Sequence, residues 1–171
     1  MKKKLWIALI SIAILVIVGF WGFDYLGGNN PIIIQKINQS PPSLVGKTYI
    51  GTPQDERLGQ TFDEVESLIA LHPLTKLHTY YKIEPGGKLD TLTVFVGIDL
   101  ALPLNGFEYM EFDGDAFLLA SIAANSWVMP NPTTVQEKLE EYAEENGLSL
   151  QGIFIDKIIS PREIQVIAPL K

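Results

Sequence analysis

The sequence predicts an α+β domain built from two tandem βαββ units, preceded by one N-terminal transmembrane helix. Three observations support this prediction. An uncharged apolar run of 19 residues extends from Leu5 to Phe23. The residues that follow show a strand–helix–strand–strand order in their pattern of apolar and turn residues, and the same order returns in the second half of the chain.

The first element is the apolar run, which begins after three lysines and ends at Asp24. At about 1.5 Å per residue, a helix of this length spans roughly the 30 Å core of a bilayer, whereas a secretory h-region has only about 7 to 15 residues. No A-x-A-like cleavage site follows, and Trp21 and Tyr25 suit an interfacial aromatic belt. We therefore expect an uncleaved anchor at residues 5–23; a cleaved signal peptide and a buried core helix are the alternatives.

The charges on the two sides of this run predict its orientation. The basic tail at residues 1–4 favours a cytoplasmic N-terminus, so the remainder would lie outside the membrane as a single-pass protein. Gly27-Gly28-Asn29-Asn30-Pro31 completes a linker at residues 24–31. Residues 32–171 then form one domain of ordinary size.

Composition and charge exclude several protein classes. The chain has 171 residues and no cysteine, which excludes disulfide frameworks, thiolate metal sites and lipidated cysteines. Without the three N-terminal lysines, ten basic and twenty acidic side chains remain, a net charge of −10. Phosphate backbones repel such a domain, so we expect no nucleic-acid partner. A cationic or neutral small molecule is easier to accommodate, although solubility alone also explains the charge.

The first βαββ unit follows the linker. Residues 32–37 and 44–51 have the β-branched, apolar composition of strands. The spacing of apolar residues predicts a helix over 56–71, with a capping-box pattern at Thr61 and Glu64. Two strands, His78 to Glu84 and Thr91 to Leu100, are then joined by a turn at 85–87.

The second unit repeats that order. Phe107 to Phe112 and Ala116 to Ala123 are strand-like, separated by the turn Asp113-Gly114-Asp115. Asn131-Pro132 predicts the start of an amphipathic helix that ends at Gly147. Two further strands, Leu148 to Asp156 and Glu163 to Ala168, complete the unit.

Sites with a recognisable sequence pattern are missing from the chain. His72 and His78 flank Pro73 without an acidic cluster or a helical H-x-x-x-H spacing, so we expect no metal site. Ser121 and Ser126 lack the G-x-S-x-G turn of a nucleophilic serine. The sequence therefore predicts no cofactor, and no residue is assigned a catalytic role.

Aromatic and acidic side chains share faces of the predicted strands. Alternation places Tyr80 with Glu84, and Tyr109 with Glu111. Rings beside carboxylates in a cleft suit a cationic aromatic or amphipathic ligand, whereas the alternative is core packing for the rings and solvation for the acids. Trp127 precedes the second helix, where it would form a lid or pack against the helix cap.

Several segments resemble the GyrI-like, or AraC-type, bacterial effector-binding domain over Ile32 to Lys171. They are Val94 to Leu100, Lys138 to Gly147, Gly152 to Asp156 and Ile164 to Lys171. The resemblance implies a pseudo-twofold domain in which two helices flank a concave sheet. It further implies a groove between the repeats for drugs or other amphipathic effectors, often cations; some members resemble hydrolases.

The sequence also departs from that family. Gln165 stands where the family often has a glutamate that serves cation recognition or acid/base work, which puts both roles in doubt. Gly51-Thr52-Pro53 matches the family's G-P-Y-type segment only in part. No helix-turn-helix region is present, so we expect no transcription factor.

These inferences lead to one preferred function and two alternatives. We expect a bacterial cell-envelope protein, anchored in the membrane through Leu5 to Phe23, whose outer domain binds a small amphipathic or aromatic molecule and is more a binder than an enzyme. Its predicted ligand-binding residues are Tyr80, Glu84, Tyr109, Glu111, Trp127, Phe154 and Gln165. One alternative is a hydrolase in which Glu84 or Glu111 activates water, and the other is a module that binds an envelope protein or lipid.

Overall fold

A computed structural model describes residues 2–83, 87 and 90–171, except for the side chains of residues 2–5 and 7–9. Glu84 and most of the predicted turn at 85–87 lie outside the described residues. The described chain is an α+β protein with three helices and eight strands. The helices are α1 (Lys2–Tyr25), α2 (Glu56–Leu71) and α3 (Pro132–Glu145). The strands are β1 (Ile33–Ile37), β2 (Leu44–Gly51), β3 (Leu77–Ile83), β4 (Leu92–Asp99), β5 (Glu108–Met110), β6 (Phe117–Ala123), β7 (Ile155–Ser160) and β8 (Glu163–Pro169).

All eight strands form one antiparallel sheet in the order β1-β6-β8-β7-β3-β4-β2-β5. One half contains β2, α2, β3 and β4, and the other contains β6, α3, β7 and β8, so both halves have the predicted βαββ order. The halves join where β3 pairs with β7, in a register that runs from Leu77 opposite Ile158 to Tyr80 opposite Ile155. We call this junction the seam. β1 and β5 extend the two edges.

Side chains at the helix starts decide where α2 and α3 begin. The Asp55 carboxylate accepts a hydrogen bond from the Arg57 N–H and caps α2. The predicted capping box at Thr61 is wrong, because Thr61 lies inside α2 and its hydroxyl donates to the Arg57 carbonyl. Asn131 caps α3 as predicted, with Pro132 as the first helical residue.

The seventh strand is displaced from its predicted position. The sequence pattern predicts a strand over Leu148 to Asp156, whereas β7 begins only at Ile155. Gly152 has a φ of 78°, a left-handed conformation that interrupts an extended segment. Before that point only Leu150 forms a bridge, opposite Leu170. This displacement brings Asp156 and Lys157 into the paired part of the seam.

Both faces of the sheet are covered by apolar contacts. One face packs against the helices: Val65 and Leu68 of α2 and Leu139 of α3 are buried there. The other face carries a third cluster that includes Phe95 and Ile155, against which Tyr80 and Phe112 pack. The sheet is therefore the centre of the core, and the helices lie on one side of it.

α1 precedes the domain and presents apolar side chains to its surroundings. Trp21 is 75 % exposed and Leu15 70 % exposed. No helix in the described part of the chain combines the length and the hydropathy of a membrane span. The predicted anchor is thus not confirmed. The segment after α1 is attached to the domain by two hydrogen bonds, from the Asn125 N–H to the Leu26 carbonyl (2.8 Å) and from the Asn30 amide to the Ala123 carbonyl (2.6 Å).

Candidate functional site

A cleft of about 370 Å³ lies between α3 and the helix-covered face of the sheet, and we call it the α3 cleft. Its floor comes from the four strands β3, β6, β7 and β8 and from the segment before β7. The residues of that floor are Ile122, Ile164, Val166, Tyr81, Phe154 and Asp156. Its wall comes from the first turns of α3 and the segment before them, through Met129, Pro130, Pro132, Val135 and Gln136.

Strand register explains why the polar and aromatic groups of the floor meet. Asp156 on β7 pairs with Thr79 on β3, and Tyr81 is the next β3 residue on the same face. Tyr80 pairs with Ile155, so Tyr81 follows beside Phe154 across the seam. A carboxylate and two aromatic rings, one from each half of the domain, are thereby placed on one floor.

The cleft has the chemical character of a small-molecule site. Most of its lining is aliphatic or aromatic, and its side chains with polar atoms are Tyr81, Gln136 and Asp156. Such a surface holds a ligand by apolar contact and ring stacking, while a few polar groups fix its orientation. Asp156 is half-buried. A carboxylate in this position favours a ligand with a positive or hydrogen-bond-donating group.

Of the residues predicted to bind ligand, Phe154 lines the α3 cleft. Tyr80 lies on the opposite face of the sheet, where its ring packs edge-on against Phe112 with centroids 6.1 Å apart. Trp127 is 90 % exposed in the turn that precedes Met129. Gln165 lies between Ile164 and Val166, which both line the cleft, so its side chain is on the other face.

The predicted pair Tyr109 and Glu111 is at a different edge of the sheet. The Tyr109 hydroxyl donates a hydrogen bond of 3.0 Å to Glu111 Oε1, consistent with their predicted common face. Tyr109 belongs to β5, the last strand of the sheet, and it pairs with Val45 of β2. The structure therefore does not bring this pair together with Phe154, and a binding role for it stays a prediction.

The two floor residues with polar side-chain atoms, Tyr81 and Asp156, were not among the predicted ligand-binding residues. Tyr81 was assigned to the strand face opposite Tyr80, and alternation alone did not say which face the helices cover. Asp156 is a single acid within an apolar segment, next to the basic Lys157. This isolated charge was the feature of the sequence from which a binding role for Asp156 could have been predicted.

The opposite face of the seam carries a buried histidine. His78 is 0 % exposed; its Nδ1 lies 2.9 Å from the Lys76 carbonyl oxygen, and its Nε2 has no hydrogen-bond partner in the described structure. Burial lowers the pKa of His78, and nearby Lys157 acts in the same direction, whereas the Lys76 carbonyl and Asp99 oppose the shift. His78 is a structural group of the seam rather than part of the α3 cleft.

No group of three or more metal-ligating side chains occurs among the residues that the structure describes. The prediction that the protein needs no metal remains a prediction.

Comparison with known proteins gives a fold but no family. No protein-family model matches the sequence, and no curated protein matches it significantly. Solved structures do match. A crystal structure of an uncharacterized conserved protein from Listeria innocua has a TM-score of 0.59 at 8 % identity, covering 81 % of this chain and 92 % of that chain. A hydrolase from Listeria innocua has a TM-score of 0.57 at 7 % identity, covering 81 % and 91 %.

A third similar structure is EcmrR, determined by cryo-EM in a complex with DNA. Its TM-score is 0.54 at 8 % identity, and the match covers 99 % of this chain and 69 % of that chain. At such identities the likeness shows a shared fold and nothing of the chemistry. The fold is consistent with the effector-binding fold that the sequence resembles.

Proposed function

We propose that this protein binds a small amphipathic or aromatic molecule in the α3 cleft. One observation carries the proposal: Asp156 stands beside the rings of Tyr81 and Phe154 on the floor of a largely apolar cleft of about 370 Å³. This volume is within the range of small-molecule sites. The sequence resemblance to effector-binding domains implies a groove for the same class of ligand.

The composition of the cleft favours a ligand with a cationic or donor group at one end and an apolar body. Asp156 supplies the charge, and the Tyr81 ring supplies a face for stacking or for a cation–π contact. Met129 adds an adaptable thioether to the wall, which suits ligands of varied shape. The net charge of the outer domain attracts cations over a longer range.

We further propose that Leu5 to Phe23 anchor the protein in the bacterial cell membrane, with residues 1–4 in the cytoplasm and residues 32–171 outside. The run is free of charge along its whole length, and the described apolar side chains of α1, such as Trp21 and Leu15, are strongly exposed. A helix that is apolar all round needs an apolar environment. Absence of the chain from a carbonate-washed membrane fraction would contradict the anchor.

Ligand binding is tested with the full chain in detergent micelles. A panel of lipophilic cations and neutral aromatics of matched size is screened for a rise in Tm and then titrated by calorimetry. We expect saturable binding and a preference for the cations. Asp156→Asn tests the cleft carboxylate, and Glu111→Gln is its matched control, because that change also removes one carboxylate but lies outside the cleft. A panel without any saturable binder would contradict the proposed function.

Hydrolysis is a second candidate, favoured by the similarity of the fold to a protein named as a hydrolase. In this chain Asp156 is the carboxylate of the cleft, so it would act as the base that takes a proton from water, with Tyr81 as a neighbouring donor. The assay is turnover of a panel of small esters and amides. Turnover that persists in Asp156→Asn would assign the reaction elsewhere and end this candidate.

A further inference from the structure

Large apolar side chains outside α1 are exposed in an uneven way. Among the described residues, the four that are most exposed are Leu74 (95 %), Trp127 (90 %), Leu71 (73 %) and Leu102 (72 %). Scattered single apolar residues are ordinary at a protein surface. It is not ordinary, however, that all four of these residues lie at the same end of the sheet.

All four lie at one end of the sheet, which we call the near end. It is the end at which β6 and β7 finish and β3 begins. Trp127 follows β6, Leu71 ends α2, and Leu74 lies between α2 and β3. Leu102 follows β4, which also finishes there because its Ile98 pairs with Leu77.

The near end is also where α1 joins the domain. The Asn125 N–H donates to the Leu26 carbonyl at 2.8 Å, and Asn125 is two residues before Trp127. Tyr25, the last residue of α1, is 91 % exposed. A second cavity of about 360 Å³ lies at this joint, lined by the side chains of Tyr25, Asn30 and Arg162 among others. The exposed tryptophan and arginine are therefore beside the point where the chain leaves α1.

We propose that this part of the near end, formed by Tyr25, Trp127 and Arg162, rests on the lipid interface of the membrane; the inference depends on the proposed anchor. Trp127 enters the interfacial region, as tryptophan and tyrosine do at the ends of membrane spans. Arg162 faces the phosphate groups of the lipids, and the cavity beside it, whose lining is part polar and part apolar, accommodates a lipid headgroup.

The distribution of acidic groups favours lipid as the occupant. α3 starts at the near end and runs about 20 Å away from it, and its acids Glu140, Glu141, Glu144 and Glu145 are concentrated in the distant half. Two acids lie at the α1 joint: Asp24 accepts a hydrogen bond from the Asn29 amide, and the half-buried Glu163 pairs with Ala123. The acids in the distant half of α3 are thus held away from the lipid phosphates.

This contact would also determine where the α3 cleft opens. The turn that carries Trp127 continues into Met129 and Pro130, which form part of the cleft wall. A tryptophan in the interface therefore holds the cleft next to the membrane surface. Amphipathic molecules concentrate at that surface, so they reach the cleft from the bilayer rather than from bulk water.

The experiment uses the full chain in phosphatidylcholine vesicles. Trp6→Phe with Trp21→Phe leaves Trp127 as the last of the three tryptophans. We expect brominated phosphatidylcholine to quench its emission several-fold more strongly than in a control with the tryptophan at the opposite end. The control chain carries Trp127→Phe and Ile50→Trp in addition to the two α1 substitutions. Ile50 suits this purpose because it is 63 % exposed and lies close to the end of β2 that is opposite the near end.

Each outcome separates the two ideas. Chains that fail to float with the vesicles would overturn the anchor and the lipid contact together. Chains that float, but in which Trp127 is quenched no more than the Ile50→Trp control, would leave the anchor intact and overturn the lipid contact. A blue-shifted Trp127 emission without quenching by brominated lipid would mean that protein covers this surface, which also overturns the proposal.

Discussion

Thr79 and Asp156 are directly paired residues of β3 and β7, the two strands through which the halves of the domain meet. Because paired residues project to the same side of a sheet, the Asp156 carboxylate lies on the helix-covered face together with Tyr81. The α3 cleft therefore draws its floor from both halves. Neither βαββ unit could form this site alone.

Replacing the cleft carboxylate tests the charge preference. We expect Asp156→Asn to weaken the binding of lipophilic cations by about tenfold, equivalent to roughly 1.4 kcal/mol, because the amide keeps the shape but loses the charge. Binding of neutral aromatics should change little. Calorimetric titration measures both, with Glu111→Gln as the control. Equal losses for cations and neutral ligands would indicate a damaged cleft rather than a lost charge.

A close backbone approach between β2 and β4 requires glycine at position 46. A Cβ there would lie 2.5 Å from the Gly97 Cα and still closer to the Val96 carbonyl oxygen. We expect Gly46→Ala to lower the free energy of unfolding by about 3 kcal/mol, since the paired strands must separate. Gly59→Ala in α2 meets no atom within 4 Å and should raise it by about 1 kcal/mol. Urea unfolding compares the two, and an unchanged midpoint for Gly46→Ala would contradict the packing described.

Stability should depend on pH through the buried His78. Its folded-state pKa is lower than that of the exposed side chain, chiefly because burial disfavours the charged form. The unfolded chain therefore takes up the proton first as the pH falls. The stability that the neutral ring contributes is complete above about pH 6.5 and is lost as the pH falls below that value towards the folded-state pKa.

The measurement is the free energy of unfolding between about pH 7 and about pH 5. We expect a smaller decline for His78→Leu than for the natural protein, because leucine removes the titrating group while filling the buried position. His72→Gln, at a half-buried position outside the seam, should retain the full decline. A decline of equal size in His78→Leu would show that other groups are responsible.

The N-cap residue of α2, Asp55, gives a test of how stability depends on pH in the acidic range. The Arg57 guanidinium and its backbone N–H lower the pKa of Asp55 to about 2 by donating to the carboxylate. Since this pKa is below the ordinary value of about 3.8, the stabilisation is present above about pH 4 and is lost as the pH falls through 2. We expect Asp55→Ala to lower Tm near neutral pH, with the difference from the natural protein shrinking below pH 4. Asp55→Asn, which can still cap, should lose less.

Local sequence patterns were sufficient for most of the elements. β2 and α2 have the bounds that composition and period indicated, and α3 starts at the predicted Asn131-Pro132 cap. Failures occurred where a pattern has two interpretations. Thr61 fits a capping box, yet Asp55 occupies the cap six residues earlier. Gly152 stops an apolar segment that otherwise resembles a strand.

For the candidate site, the sequence indicated the types of residue that line it but not which of these residues lie together in the fold. Alternation paired Tyr109 with Glu111 correctly, since that relation is local, and a hydrogen bond joins them. It could not decide between Tyr80 and Tyr81, because the face that the helices cover depends on contacts from elsewhere in the chain. Asp156 became a cleft residue only through the displaced start of β7 and its pairing with β3.

The sequence by itself determined the doubled strand–helix–strand–strand order, the helix starting at Asn131-Pro132 and the uncharged run from Leu5 to Phe23, since all of these follow from near neighbours along the chain. Only the tertiary structure decided that Asp156, Tyr81 and Phe154 share a cleft, and that Trp127 lies beside the end of α1. Strand register and sheet order are fixed by contacts between residues distant in sequence, and the alternation of side chains along a strand is the same for either face.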